Sequence, residues 1–402
     1  MPRALILCEE EFQNRRRRFD EGSAPSPLPY GINAGLTGGA VPRTWLDGKV
    51  NVTHVDVSLS SGLPLGVSFL SSLRVKADFR YDERVNDTPQ NAYQYVFTDA
   101  FVTNATAPVN QPYGFTHTRF ALSGDYDLRQ VLKFMPGKGR IMLSGGWRHD
   151  DYERPLQEAT KSHEDTGWAE GRYSPFKWLD ISLKGGGANR KIDEWQALPA
   201  TVPAQNPFMR KYNMANRERV FYEGTIGVRP IESLQFTVTG TYADNNYVSS
   251  PIGLRQNFER GATANVDWSA SESLSLYGHY GWQRLDAKQN GSQGGGVADW
   301  SVYSKDLVRT AGAGLRIANI AKAFDVDLEW NMADTNGDYS TLFGVPPAQA
   351  FPTVRTRMNG GGVGVTYRAN PALDLAAGVR YEHFDQDDWA VDGVGPSSVP
   401  NL

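Results

Sequence analysis

The residues best able to do chemistry are six histidines, a short acidic run and one cysteine. The histidines are His54, His117, His149, His163, His279 and His383, and no two stand four apart. Spacing of that kind would put two imidazoles on one helix face for a metal. They read as surface or lumen residues rather than as haem or metal ligands. Asp325, Asp327 and Glu329 alternate along one stretch. A carboxylate pair can hydrolyse a glycoside, but successive carboxylates on one face of a strand are ordinarily a solvated ladder. Cys8 is the sole cysteine, which excludes a disulfide framework and Cys-based zinc or iron–sulfur sites. A CxxCH attachment motif needs two cysteines, so the chain carries no c-type haem of its own. Gly360-Gly-Gly-Val-Gly364 sits inside a strand pattern and reads as small wall residues, not as a phosphate loop. The Arg15 to Arg18 run reads as a solvated tail. With 41 Lys+Arg against 45 Asp+Glu, there is no basic footprint for nucleic acid.

The elements that must position these residues are strands. The chain has 402 residues, of which 41 are Gly and 11% are aromatic, a composition usual for β-rich proteins. No stretch approaches 18 consecutive apolar residues, so no transmembrane helix is expected. From about residue 48 the pattern has period two. Leu73, Val75, Ala77, Phe79 and Tyr81 alternate with Arg74, Lys76, Asp78 and Arg80. Similar alternation starts at Leu179, Leu234, Leu274, Phe324 and Leu373. Across these six strands, none of 30 apolar-frame positions carries a charge, whereas 11 of the 24 interleaved ones do. Side chains alternate faces along a strand, so these strands have one apolar and one charged face.

Turns recur as well. Tyr173 to Leu179, Val228 to Leu234, Trp268 to Leu274 and Tyr367 to Leu373 each give an apolar residue, a short polar turn, then Leu-polar-apolar. Ile317 to Val326 is a looser copy. The spacing of about 40–55 residues makes one hairpin per repeat. Long polar segments lie between the turns, near 84–114, 151–163, 190–215, 245–256, 287–304 and 334–353. About 14 strands of roughly ten residues result, with all long loops at one end.

Alternating strands suit a soluble β-sandwich or propeller, such as a ligand-binding β-protein, or a transmembrane barrel. Strand length, loop asymmetry and aromatics at strand ends favour the barrel. The expected architecture is therefore all-β: an antiparallel up-and-down transmembrane β-barrel with short periplasmic turns and long extracellular loops. Tyr173, Trp268 and Tyr367 at the turn side, and Tyr381 towards the other, are the expected aromatic girdle. Arg74, Lys76, Arg80, Asp180, Lys184, Asp325, Asp327, Glu329 and Arg380 fall in the polar frame and are expected to face the lumen.

Particular stretches resemble the MtrB/PioB family of decahaem-associated outer-membrane barrels. They include Tyr30 to Ala34, Leu73 to Tyr81, Arg119 to Tyr126, Glu272 to Tyr277 and Trp389 to Val394. The most specific is a loop motif containing Asn206, Pro207, Met209, Arg210, Lys211, Tyr212 and Asn213. The resemblance implies a non-catalytic sheath in the bacterial outer membrane. It would surround a periplasmic multihaem c-type cytochrome and support extracellular electron transfer. Haem would come from that partner, with an extracellular cytochrome as a further candidate partner and lipid around the wall. The alternative is a general solute porin. Against the family pattern the chain reads as truncated at both ends, lacking a signal peptide, a Cys pair and a final aromatic-ended strand. Residues 1–27 read as an unstructured or non-family segment, and 28–402 as the barrel domain, incomplete at its C-terminus.

Overall fold

The computed structural model describes residues 3–15, 47–62, 73–91, 111–128, 139–196, 206–247, 249–293, 296–344, 348–370 and 372–389. These residues contain no α-helix. The strands are β1 (Arg3–Arg15), β2 (Gly48–Gly62), β3 (Leu73–Asn86), β4 (Phe115–Asp127), β5 (Arg140–Glu153), β6 (Lys161–Phe176), β7 (Leu179–Ile192) and β8 (Arg217–Ile231). They continue as β9 (Leu234–Asn246), β10 (Gly253–Ser271), β11 (Leu274–Gly291), β12 (Trp300–Ile320), β13 (Phe324–Phe343), β14 (Gln349–Ala350), β15 (Val354–Asn370) and β16 (Leu373–Asp387). Each long strand pairs antiparallel with the next in sequence, and the two-residue β14 pairs with β13. Among the described residues the path runs from β1 to β16 without a pairing between its ends.

The 14 long strands from β2 onward match the expected set. β1, within the segment 1–27 expected to be unstructured or outside the family, lies beside β2 with Arg3 opposite Ser60 and Arg15 opposite Gly48. Every long strand exceeds the expected ten residues, the shortest having 13. β12 has 21, β13 has 20 and β10 has 19. Two expected loops are correspondingly corrected: β11 runs to Gly291 and β12 begins at Trp300, while β13 runs to Phe343. The reason is chemical. Beyond the aromatic positions both faces turn polar, with pairs such as Asp334 beside Arg309 and Arg357, so no hydrophobic alternation marks the strand there.

Register carries the two-faced pattern across the whole sheet. One row runs Leu315, Leu328, Val363, Val379; another places Leu122 beside Trp147. Large apolar side chains on this face stand open: Leu183 is 64% exposed and Val379 76%. A single sheet with a bare apolar face has no protein core behind it, and water would not tolerate so large a patch. Hydrocarbon does. The soluble β-protein reading is therefore set aside.

The fully buried apolar residues lie elsewhere. Ala159, Met214, Ala215, Tyr247 and Ile252 are 4% exposed or less and all belong to loops at one end of the sheet, while Ala243 of β9 is 5% exposed. The dry core of the described residues is thus a cap of packed loops, not an interior between layers.

Candidate functional site

The charged face of β2 to β8 gathers a dense ion-pair lattice at the end nearest these loops. Each member sits two residues from the next along its strand, so one face presents them all. Asp82 on β3 accepts from Arg80 Nε at 2.6 Å and pairs with His54 on β2. His54 Nε2 lies 2.5 Å from Asp56. His117 on β4 bridges onward, 3.4 Å from Asp82 and 2.9 Å from Asp150 on β5. Its ring stacks on Tyr152 at 4.0 Å. Asp150 also meets Arg119 Nε and Arg148 Nε, each at 2.7 Å. On β6, Glu164 accepts from Arg217 Nη2 of β8 at 2.8 and 2.9 Å. The chain His54–Asp82–His117–Asp150–Arg119 therefore crosses four adjacent strands.

Buried carboxylates are tolerated only when paired and hydrogen-bonded. The side chain of Asp150 is 5% exposed and that of Glu164 is 13%. Their cations hold them, and in turn they fix the guanidiniums. No group of three or more His, Cys, Asp or Glu among the described residues is arranged to hold a metal ion. What the lattice can do chemically is present charges at fixed positions.

The nine expected lumen charges all lie on this same face, by register from β3 through β16. They do not form one site. Arg80 alone joins the lattice. Lys76 pairs with Asp78 at 2.7 Å, and Arg74 stands opposite Asp125. Lys184 lies over the Trp168 ring at 5.0 Å, with Glu170 and Glu223 opposite it. Arg380 is 3.5 Å from Glu382. Two of the acids are turn locks. Asp180 accepts from Ser174 Oγ at 2.6 Å and from Arg229 at 3.2 Å. Asp325 accepts from the Asn319 N–H at 2.8 Å and pairs with Arg368. Asp327 and Glu329 remain open to the face; Arg316 reaches Asp327 only at 3.8 Å.

Most of the lattice was missed by sequence reasoning, although its signal was present. Arg80-x-Asp82, His117-x-Arg119 and Arg148-x-Asp150-x-Tyr152 continue the period-two polar frame beyond the apolar stretch.

The loop motif sits directly against this site. Asn206 caps its own turn, accepting from the Phe208 N–H at 2.9 Å, and donates to the Gly296 carbonyl at 2.9 Å. Arg210 and Ile252 bond through their backbones at 3.0 Å, and the Ile252 N–H reaches Phe208 O at 3.3 Å. The Arg210 guanidinium lies 4.8 Å from the centre of the Trp195 ring. Lys211 pairs with Glu158, which is fully buried. Arg190, from the charged face, donates to the carbonyls of Ala215, at 2.8 Å, and of Tyr212. Burial pulls the loop guanidiniums of Arg154 and Arg210 below their ordinary range, yet arginine remains cationic there. Pro207, Met209 and Asn213 complete the segment, with Met209 bridged to Ile252.

Tyr173, Trp268, Tyr367 and Tyr381 all stand exposed on the apolar face. The first three flank short turns. Tyr381 is eight residues beyond Leu373 at the start of β16, which is about 27 Å along an extended strand.

Residues 16–402 match the family model described as outer membrane beta-barrel porin, MtrB/PioB. The chain is 26% identical over 369 residues to "Outer membrane protein MtrB" of Shewanella baltica (strain OS185). That match covers 89% of this chain and 50% of the relative, so the chain spans about half that protein's length. Among solved structures, the FrpB iron transporter of Neisseria meningitidis aligns at a TM-score of 0.40 with 10% identity. It covers 84% of this chain and 60% of that one. OmpT of Vibrio cholerae lacking loop L8 aligns at 0.30, also with 10% identity, covering 95% and 99%. With a family match over nearly its whole length and a bare apolar face suited to lipid, the chain belongs to the MtrB/PioB family of outer-membrane β-barrel porins.

Proposed function

We propose that this chain forms wall of a sheath around a multihaem c-type cytochrome in the outer membrane. It supports electron transfer across that membrane and is structural, not catalytic. The carrying observation is the ion-pair lattice on the charged face. Its cations and anions are locked to one another across four strands, so they offer a fixed pattern for a folded protein to register against. Complementary charge of this kind mainly sets register and encounter rate. Electrons must cross about 30 Å of hydrocarbon, and the haem that carries them belongs to the partner. An extracellular cytochrome completing the path at the loop end is part of the same proposal.

The test is purification of the tagged full-length protein from detergent-extracted outer membrane of its native host. The visible spectrum is recorded before and after dithionite. A co-purifying Soret band that shifts on reduction supports the sheath. A haem-free barrel would place the solute porin first, with the charged face as its selectivity device.

A further inference from the structure

A cavity of about 360 Å³ opens where the charged face of β4 to β8 meets the loop cap. Five guanidiniums line it: Arg119, Arg148, Arg154, Arg190 and Arg217. Only two carboxylates do, Asp150 and Glu164. Both are already engaged by the lattice, Asp150 by Arg119, Arg148 and His117, and Glu164 by Arg217. The lining therefore keeps a formal excess of three positive charges.

That excess is concentrated on particular groups. Arg154 donates to Ser162 Oγ at 2.8 Å and lies over the Tyr152 ring at 4.4 Å. Among the described residues it has no carboxylate partner. Arg190 directs two bonds at backbone carbonyls of the cap, and its Nε stays 3.9 Å from Glu164. Arg217 Nε is buried without a hydrogen-bond partner. Crowding half-buried like charges is unfavourable unless an opposite charge joins them. Guanidinium groups grip carboxylate and phosphate through paired, planar bonds. The volume falls within the range of small-ligand sites, and Asn213 of the loop motif forms part of the lining.

We propose that this cavity is an oxoanion site, built for a carboxylate or phosphate group. The group is carried either by a free small anion or by a protein held against the charged face. The experiment uses the full-length protein in detergent, washed at high salt to strip bound protein, with inorganic phosphate titrated calorimetrically. Arg154→Gln removes one of the uncompensated charges, Arg154→Lys retains it, and Arg357→Gln on β15 makes the same charge change elsewhere. Retention of any co-purifying protein is followed in parallel as salt rises.

Phosphate binding at one site, weakened at least tenfold in Arg154→Gln but not in Arg357→Gln and kept in part by Arg154→Lys, establishes a site for free oxoanions. If phosphate does not bind but Arg154→Gln alone releases the partner at lower salt, the occupant is a carboxylate of that partner. Only this second outcome draws on the sheath reading, so the two proposals can fail separately. If Arg154→Gln alters neither phosphate binding nor retention, or Arg357→Gln matches its effect, the inference is wrong.

Discussion

Asp325 and Glu329 lie four apart on one face of β13, yet they touch different things. Asp325 is 6% exposed and ties the β12–β13 turn to β15 through Asn319 and Arg368. That turn carries Asn319, Ala321 and Lys322 at φ of 60°, 50° and 62°, all without glycine. Left-handed backbone costs an ordinary residue roughly 1–2 kcal/mol, and the carboxylate offsets it. Asp325→Ala should therefore lower stability, read as an earlier midpoint in urea unfolding of the refolded barrel. Asp327 and Glu329 face open space instead. Their joint replacement by Lys should leave unfolding nearly unchanged; on the sheath proposal, retention of the enclosed protein should fall, most at low salt. Equal retention across salt would remove these two residues from the contact surface. The sequence pattern placed all three acids on one face but could not separate them, because the difference lies in Asn319 and Arg368, 6 and 43 residues away.

Strands and turns were largely legible, because burial against lipid imposes a strict period of two and tight hairpins require recurring polar turns. Strand length was not. Past the aromatic positions both faces meet water, and the alternation that reveals a strand disappears. The loop motif was legible as a motif but not as a packing centre. Its contacts with Glu158, Trp195, Ile252 and Gly296 come from four separate loops or strand ends. One residue it depends on was not singled out at all. Gly253 has φ of 108°, and a Cβ there would lie 2.4 Å from the Arg210 carbonyl oxygen. Gly253→Ala should push the motif off β10 and speed amide exchange across 206–216 and 249–252. Amides of β15 should be unaffected. Unchanged exchange in the cap would show that Arg210 does not pack there.

At the scale of the molecule the governing fact is the sorting of faces. Ala376 and Ala377 are neighbours on β16, opposite Thr366 and Val365 respectively. One belongs to the charged face and the other to the apolar one. Ala377→Arg should cost roughly 2–4 kcal/mol in a bilayer, the penalty for a cation facing lipid near the midplane. Ala376→Arg should cost far less, since a charge on that face is not placed in lipid. Equal costs would undo the face assignment. A wall sorted in this way encloses either water or a protein, and the sheath reading requires a protein.

The most direct measurement is single-channel conductance of the native complex in a planar bilayer, before and after a high-salt wash. A plugged sheath passes little current as isolated and opens once its partner is stripped. A large conductance in the isolated complex, unchanged by the wash, would contradict the sheath and leave an open porin.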